Sequence, residues 1–339
     1  MLDLEYILQM HGGVDKYRKK TTIPIVTSKI YGVDISTSSD SKSALTYTDD
    51  AIGLTPSYGR GGTFNAGSWE DKFPFNQIKP CMFKNGVVQY YLNQLNYAQK
   101  EDGSASDITS GADGDAMIEF PKIYWKIENV SNIIKIRYSD IKVDDNYKCL
   151  AHMRGTTEKD FCYISAYLGF NLDGKLRSLS GKTPIATQSI TTFRTQAQAN
   201  GSGYDQMAHY QLTMLQVLFI VMFKNRNSQV ALGFGNAYTN GSLKSTGNTN
   251  VKGMNYGSEN AYLEQIKFCG IEDIWGNLAC FLEGLIIDST TNMLISNQNF
   301  NDLGNDYTNF GMLSSATISG YMSQIQGTTE TGFIPKSSG

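Results

Sequence analysis

The sequence predicts an α+β fold, in which a mostly β N-terminal region precedes a region of two helices packed on short twisted sheets. Three observations carry this expectation. Short β-rich pieces separated by Ser, Asp and Gly turns dominate the N-terminal part. One strongly apolar stretch with helical spacing lies at residues 207–224. A hydrophobic run at 270–288 is broken near its start by Trp275-Gly276-Asn277.

Residues 2–10 place Leu2, Leu4, Ile7 and Leu8 on roughly one helical face, and Gly12-Gly13 ends the pattern. This predicts a short amphipathic helix within a terminal segment, 1–20, that is either a packed cap or a docking peptide. Between 23 and 48, short β pieces alternate with Ser/Asp turns. Residues 53–68 (GLTPSYGRGGTFNAGS) are glycine-rich but lack the G-K-[ST] ending of a phosphate loop, so they read as a flexible surface loop. Asn85-Gly86 stands between CMFK and VVQYYL, the dipeptide that a type I′ hairpin turn needs. Pro121 interrupts the apolar stretch 116–127, which implies an edge strand or two separate pieces. Ile134, Ile136 and Tyr138 alternate with Lys135 and Arg137, as a half-buried strand requires.

Two helices follow. At 191–200, Phe193 and Ala197 face inward, Arg194 either joins them or makes a surface or half-buried ion pair, and Asn200-Gly201 ends the helix. At 207–224, Leu212, Leu215, Leu218, Phe219 and Met222 recur at three- and four-residue steps. Past Met214 this helix is apolar nearly all round, which predicts burial against a sheet. Gly233 and Gly235 flank Phe234 at its exit, where a positive φ costs little. Residues 236–262 form a long polar tract (NAYTNGSLKSTGNTNVKGMNYGSENAY), and loops of this length in a compact domain are commonly functional. In the broken run, Trp275 brings a large apolar area. Gly276 permits positive φ or close approach, and Asn277 suits a turn. The residues from Leu278 to Ile287 are then expected to enter a core. The tail, 289–339, is polar and turn-rich with β pieces near 293–295 and 316–318. No internal repeat is present.

Composition narrows the function classes. The 339 residues allow two domains or one large one. Hydrophobic residues make up 40%, enough for a sizeable core, whereas charged residues reach only 18%, below the usual quarter. Gly, Tyr, Asn, Ser and Thr take their place, the mixture of loop-rich β proteins and of adaptable binding surfaces. A net charge of −3 and a single basic cluster, KYRKK at 16–20, argue against nucleic-acid partners. The five cysteines are odd in number and contain no C-x-x-C pair, which argues against a disulfide framework or structural zinc and for buried free thiols in a reducing cytoplasm. The N-terminus lacks a signal-peptide pattern. The longest apolar stretch, 214–223, is too short to span a bilayer, so a soluble protein without membrane insertion is expected. Cys149 precedes His152 by three residues, but no nucleophile signature surrounds them, and neither H-E-x-x-H nor G-x-S-x-G occurs. His209, near the start of the long helix, reads as a packed or capping residue. The pairs Asp49-Asp50 and Asp144-Asp145 stand in turn contexts. No enzyme activity, cofactor or metal is expected.

Four segments, in order, carry a resemblance. They are GADGDAMIEFPK at 111–122; CYISAYLGF, LRSLSGKTP and TTFRTQA from residue 161 onward; GSGYDQMAHYQLTMLQVLFIVMFKNRNSQVALGFG at 201–235; and GIEDIWGNLACFLEG at 270–284. Upstream, IYGVDIST, LTYTDDAIGLTP and IKPCMFKNGVVQYYLN belong to the same pattern, as found in Clostridium-type phages. The series resembles tail and receptor-binding proteins of phages and prophages whose C-terminal domain is C-type-lectin-like, in the branch shared with formylglycine-generating enzymes. The resemblance implies a β-rich attachment domain at 21–140 and a lectin-like domain at 141–339. It makes Phe193, Arg194, Gly233, Gly235, Trp275, Gly276 and Asn277 fold-defining residues. Relatives usually continue past the region matching 331–339 with a glycine- and aromatic-rich segment that completes the fold. Three readings of this chain's end stay open: the last strands come from elsewhere, the product is shortened, or the end aligns differently. The Glu-Pro-Asn and Gln-Pro-Asp triplets of calcium-dependent sugar binders are absent, and Cys269 and Cys280 do not stand in for the enzyme branch's cysteines.

The function implied is a tail component of a phage, prophage or tailocin that binds the host surface non-covalently through loops. Tyr238, Asn240, Asn255, Tyr256 and Tyr262 are the receptor-contact candidates. The implied partners are other virion tail or baseplate proteins and a host receptor, polysaccharide or protein. A homo-oligomer is implied, trimers being common at tail tips. The place implied is the virion, after synthesis in the bacterial cytoplasm. The alternative is a structural baseplate or decoration protein that binds only other virion proteins.

Overall fold

The computed structural model describes residues 28–38, 44–236, 242–258, 263–313 and 322–338. The expected N-terminal helix and the β piece at 316–318 lie outside them. The described residues form many short strands and three helices, a mostly β arrangement of the α+β kind.

Strands β1 (Ile30–Ser36) and β2 (Leu45–Asp49) form the first antiparallel pair. Strands β3 (Lys79–Lys84) and β4 (Val87–Asn93) form the expected hairpin, extended by β5 (Asn96–Lys100). Asn85 and Gly86 both have positive φ, 54° and 82°, as a type I′ turn demands. Pro121 ends β6 (Asp115–Pro121), and the chain resumes as β7 (Tyr124–Val130) and β8 (Ile133–Ser139), so the apolar stretch is two pieces. The first sheet runs β2-β1-β8-β7. Ile134, Ile136 and Tyr138 are fully buried on its inner face, as their alternation predicts.

A small hairpin, β9 (Met153–Arg154) with β10 (Thr157–Glu158), leads into β11 (Phe161–Ser165). Strand β11 pairs with β6, giving a second sheet of order β11-β6-β3-β4-β5 in which β11 is an edge. Strand β6 is therefore interior. Its proline is tolerated because Pro121 sits at the last position, opposite Phe161. Another short hairpin, β12 (Phe170–Leu172) with β13 (Lys175–Arg177), precedes the helices.

Helix α1 (Ile190–Gln198) is capped by Ser189, whose side chain accepts from the Thr192 amide. Arg194 and Ala197 are buried on its inner face. Helix α2 (His209–Phe223) packs on β1 and β8, and all but two of its residues are buried. Its C-terminal half is wholly apolar, from Val217 to Phe223, and buried on every side. The helix ends where Lys224 turns left-handed, φ 49°. A single turn, α3 (Ser228–Ala231), follows.

The C-terminal strands are short. β14 (Lys267–Phe268) and β15 (Ile271–Glu272) pair with each other, and β16 (Leu285–Ile287), β17 (Asn292–Ile295) and β18 (Thr308–Met312) form a three-stranded sheet. β19 (Met322–Thr328) and β20 (Gly332–Ser338) make a final hairpin. Its turn is seated on β7: the Thr329 carbonyl accepts from Trp125 Nε1 at 3.3 Å, and Thr329 Oγ1 accepts from the Ile127 amide at 3.0 Å. His209 Nε2 lies 2.8 Å from the Thr331 carbonyl, which makes His209 the packed residue its position suggests.

Three expectations need correction. The glycine-rich stretch 53–68 is pinned rather than free: the Ser57 amide donates to Met222 O at 2.9 Å and the Gly59 amide to Ala231 O at 2.9 Å. A Cβ on Gly59 would stand 2.5 Å from Leu232, so close packing explains that glycine. Four thiols are buried and free, but Cys280 is exposed. The run after Asn277 does not enter the core at once: Ala279, Cys280 and Phe281 lie open, with Phe281 49% exposed. Among the described residues no helix is long and apolar enough to cross a membrane.

Candidate functional site

Trp275-Gly276-Asn277 forms a bracket. The Trp275 ring meets Phe219 of α2 edge-on at 5.6 Å, and its Nε1 donates to Gly233 O at 3.0 Å. Gly276 and Asn277 both have positive φ, 83° and 59°. A Cβ on Gly276 would stand 3.1 Å from the Asn236 amide, so this turn requires glycine for both conformation and space. The Asn277 side chain bonds distant groups: Oδ1 accepts from Asn236 Nδ2 at 3.0 Å and from the Lys244 amide at 2.9 Å, and Nδ2 donates to Lys244 O at 3.1 Å. The first residue of the polar tract and Lys244 within it are thereby tied to one residue. Gly233 and Gly235 have positive φ, 129° and 70°, as expected at the helix exit.

Arg194 closes a second bracket. Its Nε and Nη2 donate to the two Glu283 oxygens at 2.8 and 2.9 Å, and Nη1 donates to Asp302 at 2.7 Å. Glu283 is buried and also accepts from Gln206 at 2.6 Å. This is a two-pronged, hydrogen-bonded ion pair, the strong kind, and it holds α1 against the start of β16.

Between the brackets, a buried polar cluster anchors residues 245–250. Both Glu272 oxygens are occupied: Oε1 accepts from the Gly247 amide at 2.7 Å, and Oε2 from the Thr249 amide at 2.8 Å and hydroxyl at 2.6 Å. Gln265 Nε2 bridges Glu272 and Asp273 at 3.1 and 2.6 Å. Lys267 is fully buried; its Nζ donates to Thr249 O at 3.2 Å and lies 3.5 Å above the Tyr97 ring. Burial pushes the Lys267 ammonium down to about 7, with the Glu272 charge opposing. Burial likewise pushes the Asp273 carboxyl up to about 7. These groups were not singled out in the sequence. The only trace they leave there is charge inside an apolar run, EQIKFCGIED at 264–273.

The receptor-contact candidates divide. Tyr238, Asn240 and Tyr262 lie outside the described residues. Asn255 and Tyr256 are half-buried neighbours on the outer side of the anchored tract. Asn255 Oδ1 accepts from the Cys269 amide at 2.9 Å, and Lys252 Nζ lies 4.7 Å over the Tyr256 ring. The Tyr256 main chain exchanges bonds of 2.8 and 2.9 Å with Lys267, so the loop joins the sheet there. Among the described residues the 242–258 segment contains neither helix nor ladder strand, yet it is fixed from beneath by Asn277, Glu272 and Lys267.

No known family model, curated protein or solved structure matches this chain.

A concavity lies beside β11, β13 and β15. It has a volume of about 760 Å³ and is lined by Tyr163, Arg177, Phe193, Tyr204, Asp205 and Phe281, among others. The Cys149–His152 pair does not form a nucleophile at its wall. Burial pushes the Cys149 thiol up to about 11 and the His152 imidazole down to about 4, the reverse of a thiolate–imidazolium pair. His152 Nε2 faces Phe120 O at 3.3 Å. Among the described residues no group of three or more His, Cys, Asp or Glu could hold a metal ion.

Proposed function

We propose that the chain is a phage, prophage or tailocin tail component that binds the host cell surface non-covalently through loops on a C-type-lectin-like scaffold. The observation that carries this reading is the anchored tract. A Gly-, Asn- and Ser-rich coil is held from below by buried hydrogen bonds, while Val251 is 65% exposed and Tyr256 stays half-open on its outer side. Irregular loops on a rigid base are where recognition residues concentrate. The order of elements supports the lectin-like scaffold: two helices, a long coil fixed by the Trp275 bracket, then short strands. Tyr and Asn side chains on such a coil supply contact area and hydrogen bonds, and several copies in a homo-oligomer supply avidity.

The test is adsorption by assembled particles carrying Tyr238→Ala and Tyr256→Ala. The expected outcome is a large loss of adsorption with particle assembly unchanged; undiminished adsorption would remove the loop assignment. One observation favours the second reading, a structural baseplate or decoration protein: the open apolar residues around Phe281 suit protein contacts within an assembly. In that case deleting residues 1–13 releases the chain from particles, and the isolated protein does not bind cells.

A further inference from the structure

Strand β11 is an edge whose free side faces the large cavity. Its pairing with β6 fixes which way its main chain points. Ala166 donates to Ala116 at 2.9 Å, and the register continues that pairing through Ile164 with Ile118 and Cys162 with Phe120. In an antiparallel ladder, bonded and non-bonded pairs alternate. The N–H and C=O groups of Phe161, Tyr163 and Ser165 therefore point away from β6, into the cavity. No described residue bonds them.

The facing wall is also bare. Residues 278–281 line the same cavity, and no described residue bonds the main chain of 279–282. The side chains there are the apolar run Leu278-Ala279-Cys280-Phe281-Leu282, which by sequence belongs in a core, yet Ala279, Cys280 and Phe281 are open to solvent. Across from them Phe161 is 48% exposed. His152 and Asp273, which are among the cavity's lining residues, each carry a buried polar atom without a partner, Nδ1 and Oδ1. Buried polar groups left unmet are uncommon in native proteins and call for an explanation.

We propose that this cleft is a strand-receiving slot: an extended segment of another polypeptide, apolar at alternate positions, adds to the free edge of β11 and covers residues 279–282. A row of main-chain donors and acceptors repeating every second residue is matched by another extended chain and by few other ligands. The slot is concave. The volume, about 760 Å³, accommodates a short single strand, and the exposed Phe161, Cys280 and Phe281 supply apolar surface for its side chains. The inference goes beyond the recognition role and stands whether or not the chain contacts a host cell.

A displayed library of random peptides, panned on the full chain, tests it. The readout is maleimide labelling of Cys280, the exposed one among five cysteines. Recovered peptides are expected to have apolar residues at alternate positions and to slow Cys280 labelling several-fold. Ser165→Pro removes an outward N–H without touching the β6 ladder. It should weaken those peptides about tenfold, the equivalent of one lost hydrogen bond, at an unchanged Tm. Ala279→Pro makes the same test on the other wall, should Ser165→Pro not fold. Any of these results overturns the proposal: no peptide recovered, peptides that bind without protecting Cys280, or equal binding to parent and both proline variants. Protection of Cys280 by cell-surface oligosaccharides alone also overturns it.

Discussion

Asp273 shows how a single buried group shapes stability. Its Oδ2 accepts from Gln265 at 2.6 Å and from Asn277 at 2.8 Å, while Oδ1 has no partner. Burial raises its carboxyl from the ordinary 3.8 to about 7. The folded state thus holds the proton more tightly than the unfolded chain. Its contribution is fully present below pH about 4 and is lost as pH rises to about 7. Asp273→Asn keeps the shape and stays neutral. The variant is expected to match the parent near pH 4 and to exceed it near pH 8 by on the order of a few kcal/mol, measured by urea unfolding at both pH values. A constant difference across pH would refute the protonation argument. The Trp275 bracket was legible because its three residue types announce apolar area, positive φ and a turn. The partners of Asn277, at Asn236 and Lys244, were not. A single sequence carries no signal for which distant amides an Asn side chain will reach. The same gap hid Lys267 and Glu272, whose burial depends on loop 245–250 folding over them.

At the scale of elements, periodicity worked where one face meets a core. Helix α2 and strand β8 follow their apolar repeats, and the Asn85-Gly86 hairpin follows its turn residues. It failed for β18, β19 and β20. MSQIQGT and GFIPKSS carry too few apolar residues to mark a buried face, and their pairing comes from the hairpin turn and its seat on β7. That seat gives a sharp expectation. Thr329 is buried, and its hydroxyl serves both the Ile127 amide, at 3.0 Å, and the Ile127 carbonyl, at 3.4 Å. Thr329→Val preserves shape but orphans the amide, at a cost of about 1–3 kcal/mol. Amide exchange at Ile127 should accelerate in the variant, while exchange in the β3–β4 hairpin stays unchanged. The expected core entry of the run at 278–282 failed for a different reason: its apolar pattern predicts burial, but among the described residues nothing covers Ala279, Cys280 and Phe281.

At the scale of the molecule, the question is how far the two sheets depend on each other. Composition and resemblance suggest a division near residue 140. The buried apolar residues form one connected cluster that includes Val33 and Ile136 of the first sheet, Ile118 and Ile164 of the second, and Val217 to Phe223 of α2. Strand β11 lies past residue 140 yet completes the sheet begun by β3, and Tyr47 of β2 donates to Val221 O of α2 at 2.9 Å. Helix α2 is thus the common wall. Replacing Leu218, fully buried at its centre, with alanine should cost about 2–5 kcal/mol and should lower both sheets together. Near-ultraviolet dichroism of Trp69 and Trp125, which are buried in the N-terminal part, and far-ultraviolet dichroism of the whole chain are expected to report one coincident thermal transition in the parent and in Leu218→Ala. If the aromatic signal melts separately, or moves in the variant while the far-ultraviolet signal does not, the core is two units that merely touch at α2. If the transitions move together, the helix and its apolar residues bind the N-terminal half and the coil-bearing half into one cooperative body. A force on the N-terminal sheet would then reach the anchored tract through packed side chains rather than through a linker.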